Sequence, residues 1–256
     1  MRFWIAWQLL TIIPSPHRYR EYSVEDLGRS ISFFPIVGLF LGIVLFGLDY
    51  LLGLFLSSIM VNILLVIALV ILTGVLHIDG FVDTCDGLVV KNSASDKLRI
   101  MADSQVGAFG VVGGCCLILA KIAALISLPE GLRASALILM PVLSRWGMVF
   151  AIYAFSPAKK NGMGWAAKQM ADWKGIAVAT TFTLIIALVL LSWWGAALLA
   201  MLCLILCLVS KYLCSRFGGL TGDNYGAIDE FAEVTVLILT FIIAGLGGSS
   251  WLGTFL

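Results

Sequence analysis

Long apolar runs, interrupted at intervals by charged loops, set the pattern of this chain. A helix that crosses a bilayer needs about 20 largely apolar residues. Seven stretches meet that length, at roughly 33–56, 60–80, 106–127, 132–155, 175–194, 196–213 and 232–252. The fifth and sixth share one apolar region. Trp193, Trp194 and Gly195 are the expected turn between them, because tryptophan prefers the membrane interface. Ahead of all seven, Arg2 precedes a short apolar stretch from Phe3 to Ile13 that Pro14 and Pro16 end. That stretch lacks a small-residue cleavage site and carries Trp4 and Trp7, so it reads as an interfacial or re-entrant helix, not a signal peptide. The expected fold is all-α. It is a polytopic integral membrane bundle of about seven transmembrane helices plus the N-terminal helix, in one domain over residues 1–256 without internal repeats.

Composition agrees and narrows the function classes. The chain is 61% hydrophobic and 12% charged, against roughly 45–50% and about 25% in soluble domains. Too little charge is present to cover that apolar surface in water, which excludes a soluble globule and a disordered chain. A net charge of +1 excludes a basic nucleic-acid binder. Six cysteines without a Cys-x-x-Cys pair, and only two histidines (His17 and His77), argue against a zinc site or a disulfide framework.

The distribution of charge predicts orientation. Arg2, Arg18, Arg20 and Arg29 precede span one, and Lys91, Lys97 and Arg99 follow span two. Lys159, Lys160, Lys168 and Lys174 follow span four, and Lys211 and Arg216 follow span six. These four segments fall on one side of a seven-span topology and hold 13 of the 16 basic residues, with Arg133 alone opposite. The positive-inside rule makes the charged side cytoplasmic. Arg145 and Lys121 lie within spans, Lys121 toward the outer face, where it is expected to snorkel.

Candidate chemistry gathers at the charged side. In His77-Ile-Asp-Gly-Phe-Val-Asp-Thr-Cys-Asp-Gly87, Asp79, Asp83 and Asp86 recur at i, i+4 and i+7, within about 60° of one helical face. Three like charges repel there unless a cation neutralises them, and hard oxygen donors suit Mg²⁺ or Mn²⁺. Gly80 and Gly87 would let a helix or a ligand approach the backbone. His77 lies well around the helix and fits either a polar membrane edge or a role in the site. Asp103, Gly107, Gly110 and Gly114 share a stripe expected to open span three. Helix packing explains the glycines, and Asp103 is expected to join the three aspartates. Before span seven, the glycine-rich segment around Asp223 and Asn224 leads to Asp229, Glu230 and Glu233. It reads either as a phosphate- or sugar-binding backbone or as a turn with an acidic helix start. Arg145 suits a phosphate or a structural carboxylate partner.

These motifs carry a resemblance. The His77–Gly87 block, Met101–Gly110, Pro141–Trp146 and Gly219–Gly226, with Leu10–Pro14 and Phe34–Gly38, resemble the adenosylcobinamide-GDP ribazoletransferase (cobalamin 5′-phosphate synthase) family along nearly the whole chain. The resemblance implies a Mg²⁺-dependent, multi-pass enzyme of the bacterial or archaeal inner membrane, with a cytoplasmic site. It would join α-ribazole or its 5′-phosphate to adenosylcobinamide-GDP and release GMP. Asp79, Asp83, Asp86 and Asp103 are then the expected metal-binding and catalytic residues. Arg145, Lys91, Gly80, Gly87, Gly107, Asp223, Asn224 and His77 are the expected substrate contacts. The implied partners are these small molecules and the bilayer, with no nucleic acid. Self-association, or association with other late cobalamin-pathway enzymes, is left open. A CDP-alcohol phosphotransferase is the alternative, since Asp83-Thr-Cys-Asp-Gly87 matches half of that family's motif. A cation-coupled transporter is a third reading, disfavoured because the acids sit at the membrane edge.

Overall fold

In the computed structural model, residues 1–16, 23–91, 93–160 and 162–247 are described. His17, Arg18, Arg20 and the 248–252 end of the last expected span lie outside them. Among the described residues the chain is helical without strands. Five helices are long and apolar enough to cross a membrane. They are α3 (Phe34–Gly53), α7 (Ala108–Ser127), α8 (Glu130–Ala154), α10 (Trp173–Leu191) and α11 (Trp193–Phe217).

The expected span at 60–80 is corrected. α4 (Ser58–Leu72) stops early, and α5 (Leu76–Val89) leaves it at 91°. The corner is Gly74 and Val75, with φ of 64° and 65°. Glycine enters that left-handed region freely, whereas a β-branched valine does so only under strain. The aspartates therefore sit on a separate helix that turns away from the span, not on the span's end. A second correction concerns span three, since α7 begins at Ala108 and Asp103 lies in the turn before it. A third concerns the last helix. α12 (Gly222–Gly247) starts ten residues ahead of the expected 232, so Asp223, Asp229, Glu230 and Glu233 are helical. The turn between α10 and α11 falls at Ser192 (φ 53°), and Gly195 is already inside α11.

α8 forms the axis and is buried along most of its length. Gly38 of α3 meets the Pro141 backbone, and a Cβ on Gly42 would lie 2.7 Å from Ile138 Cα, so the two helices pack backbone to backbone. The N-terminal helix α1 (Arg2–Leu10) is docked, with Ile5, Ala6, Trp7 and Leu10 buried. Short helices α2 (Val24–Ser30), α6 (Ala94–Ile100) and α9 (Gly162–Met170) decorate the charged end. There Leu220 N–H donates to Ser156 O and Ala158 N–H to Leu220 O, which joins two basic loops. At the opposite end Arg133 bridges Asp49 (2.6 Å) and donates to Asn62 (2.7 Å). Lys121 does not snorkel. It is 1% exposed and turned into the bundle.

Candidate active site

The site is built on the crossing of α5 and α12. One stripe of α5 (His77, Gly80, Thr84, Gly87) is buried. Gly80 presses on α12, where a Cβ would come 2.7 Å from the Asp223 carbonyl oxygen. Gly226 answers from the other side, with 3.2 Å between its would-be Cβ and His77 Cα. Asn224 Nδ2 donates to Thr84 Oγ1 (3.0 Å). The start of α12 is fixed by a reciprocal cap, as Thr221 Oγ1 accepts the Asn224 N–H (3.2 Å) and Asn224 Oδ1 accepts the Thr221 N–H (3.0 Å). Asn224 is fully buried in these contacts, so it holds the crossing together and leaves no face for a ribose.

With one α5 stripe committed to α12, the aspartates emerge on the neighbouring face. Asp79 is exposed and Asp83 is half-buried. Burial, then the charges of Asp79, Asp223 and Asp86, push the Asp83 carboxyl up to about 6. Burial likewise raises Asp223, with Lys159 opposing and Asp79 adding to the shift. The charges of Asp79, Asp223 and Asp86 thus all bear on Asp83. Asp103 is exposed in the turn before α7, where its Oδ1 accepts the Gln105 N–H (3.0 Å), and it is not among the charges that bear on Asp83. Asp86 has a task the spacing did not reveal. Its two oxygens accept the N–H groups of Gly107 and Gly110, each at 2.7 Å, and so cap α7 from another helix. Gly107 thus serves the cap, and Gly87 lies against Met101 and Phe217. Lys91 is exposed just beyond α5.

Behind the crossing lies a buried ionic cluster that the sequence did not assemble. His77 Nδ1 is 2.7 Å from Asp229 Oδ2, and Arg145 Nη1 is 3.3 Å from the same oxygen. Arg145 also pairs with Glu233, and Lys121 Nζ reaches Glu230 (2.6 Å) and Glu233 (2.5 Å). The expected phosphate contact at Arg145 is corrected here, because its guanidinium is fully buried against two carboxylates. His77, Asp229 and Glu230 could bring ligand atoms within 4.8 Å of one another. Their carboxylates are already met by Arg145 and Lys121, so their charge is balanced without a metal ion.

Asp79, His77 and Asp223 line a pocket of about 150 Å³ walled by Leu9, Leu10 and Leu27 on one side and Met148 and Ile152 on another. Sequence reading missed this wall, since apolar residues that line a pocket look like any others in a membrane helix. Tyr225 also lines it, with its hydroxyl buried and unpartnered by the described residues.

An all-helical multi-pass membrane protein, with an acidic pocket at the basic end of its bundle, is the class these features define. The chain belongs to the cobalamin-5-phosphate synthase family, which it matches over residues 2–241, and is thereby an enzyme, a transferase of cobalamin biosynthesis. It is 38% identical over 243 residues to the adenosylcobinamide-GDP ribazoletransferase of Geotalea daltonii, covering 95% of this chain and 98% of that one. The enzymes of the same name from Desulforamulus reducens and Roseiflexus sp. are each 34% identical. Those alignments cover 93% and 91% of this chain, and 95% and 86% of the relatives. No solved structure matches the chain.

Proposed function

We propose that the chain transfers the adenosylcobinamide-phosphate group of adenosylcobinamide-GDP to α-ribazole or its 5′-phosphate and releases GMP, at a cytoplasmic face of the cell membrane. The observation that carries this reading is a pocket lined by Asp79 and Asp223, whose charges both bear on Asp83 while that of Lys159 bears on Asp223. Half-buried carboxylates whose like charges bear on one another are what a hard divalent cation relieves, and the all-oxygen donor set fits Mg²⁺. Asp79, Asp83 and Asp223 would hold it. A Mg²⁺ held there would supply positive charge to offset that of a diphosphate and of a phosphate leaving group.

The chain's own groups account for the remainder. The ribazole hydroxyl oxygen forms a bond to the phosphorus nearest cobinamide, and the bond from that phosphorus to the GMP oxygen breaks. The hydroxyl proton passes to a carboxylate of the aspartate set, which needs little basicity in a loose transition state. Lys159 and Lys91, both exposed at this end, supply cations to the phosphate oxygens. The leucine wall shields one side of the site from water.

Purified protein in detergent, given adenosylcobinamide-GDP, Mg²⁺ and either acceptor, should yield the joined corrinoid and one GMP per product. Release of GDP would place the attack on the wrong bond. Inactivity with both acceptors, together with CMP release from a CDP-alcohol, would hand the site to the alternative chemistry.

A further inference from the structure

A second cavity, of about 450 Å³, opens between α1, α2, α8 and α10. Arg2, Arg29 and Lys174 line it, against the single carboxylate of Asp172. That carboxylate is already engaged, since its Oδ1 accepts the Gly175 N–H (2.7 Å) as the cap of α10. Glu25 pairs with Arg29 (2.7 Å) and Asp26 lies 4.0 Å from Arg2, but neither acid lines the cavity. The Arg29–Glu25 pair is exposed and of the i,i+4 kind, among the weakest ion pairs, so Arg29 is available to a stronger anion. The rest of the wall is mainly apolar, with Phe33 and Val149, and Tyr153 offers a hydroxyl. Cations beside an apolar wall hold an anion more firmly than cations in open water do.

The cavity is also placed for use. The two cavities lie on different sides of the same stretch of α8, with Met148 and Ile152 lining the carboxylate pocket and Val149 and Tyr153 lining this cavity. Ile31 lines both. We propose that this cavity binds the phosphate of a phosphate ester whose remaining part is aromatic or apolar. The guanidinium groups of Arg2 and Arg29 and the ammonium of Lys174 meet the phosphate oxygens, and Phe33 and Val149 pack on the organic part. Two sources share this chemistry. One is the 5′-phosphate of a phosphorylated acceptor, which rests on the transferase reading above. The other is the headgroup of an anionic phospholipid, which does not.

The test compares wild-type protein with the Arg29→Gln/Lys174→Gln double variant in equilibrium binding. One arm uses α-ribazole 5′-phosphate, with α-ribazole as its phosphate-free counterpart. The other uses phosphatidylglycerol vesicles, with phosphatidylcholine vesicles as the uncharged counterpart. Losing charge-assisted contacts to a phosphate should weaken binding about tenfold or more in one arm while the counterpart is unchanged. Loss in the first arm assigns the cavity to the acceptor, and loss in the second assigns it to lipid. A Lys174→Arg variant, which keeps the charge, should retain most of the affinity. Unchanged binding of both phosphate-bearing probes, or equal losses for their counterparts, overturns the proposal. The readout needs no turnover, so a wild-type protein that converts neither acceptor would sink the transferase reading and leave this result intact.

Discussion

Asp83 and Asp86 are three residues apart on α5, yet their surroundings give them opposite work. Asp86 spends both oxygens on the Gly107 and Gly110 N–H groups. Asp83 is held up to about 6 by burial and then by the charges of Asp79, Asp223 and Asp86. Asp→Asn at 79, 83 or 223 keeps the shape and removes a charge from the proposed cation site. Turnover should fall about 10²-fold or more, the scale of losing a key electrostatic stabiliser, with the melting temperature little changed. Asp86→Asn should instead lower stability by about 1 kcal/mol, since an amide has only one acceptor oxygen for two N–H donors. Steady-state kinetics and thermal melts on the four variants separate the two groups. Near-normal turnover at 79, 83 and 223 would remove the cation site from the reaction. Sequence spacing made the aspartates legible because a helix puts i, i+4 and i+7 on one face whatever surrounds it. It could not distinguish Asp86 from the others, because the difference lies in where a second helix begins, 21 residues along the chain.

The helices decide which of these side chains can meet. Gly80 and Gly226 let α5 and α12 touch along their backbones, and that contact brings Asp223 to Asp79 and Asp83. A methyl group at Gly80 would press on the Asp223 carbonyl, so Gly80→Ala must move one helix against the other. A shift near an ångström costs reactions of this kind up to about 10²-fold. The variant should lose a large part of its turnover while remaining folded. Gly47→Ala, whose new methyl meets nothing within 4 Å, should be neutral. Kinetics on the pair check the point, and equal activity would dissociate the crossing from catalysis. At this scale the sequence was half informative. Span length and apolarity predicted α3, α7, α8, α10 and α11 to within a few residues. The corner at Gly74 and Val75 was hidden, since one glycine inside an apolar run looks the same in a straight helix as in a bend. The early start of α12 was hidden for a related reason. Its first turns are acidic, and the partners of Asp229, Glu230 and Glu233 are His77, Lys121 and Arg145 on other helices.

Across the whole molecule, charge and chemistry share one end. Lys91, Lys159 and Lys160, the Ser156–Leu220 link and the aspartate pocket lie where the basic loops gather, while the Arg133–Asp49 pair closes the far end. The bias of basic residues was readable along the chain because loops alternate sides of a bilayer, and the bent α4–α5 pair still returns the chain to the charged end. The buried cluster was not readable, since it joins residues 77, 121, 145, 229, 230 and 233 from four helices. If the positive end is cytoplasmic, a single cysteine at Lys160 should resist a membrane-impermeant thiol reagent in intact cells and react once the cells are opened. A cysteine at Gly131, exposed beside Arg133 on the far end, should react from outside. A background without the six native cysteines makes the labelling specific, because all six are free thiols. The reverse pattern would turn the bundle over and place the acidic pocket on the side of the membrane away from cellular nucleotide pools, against the nucleotide-bearing substrate proposed for it.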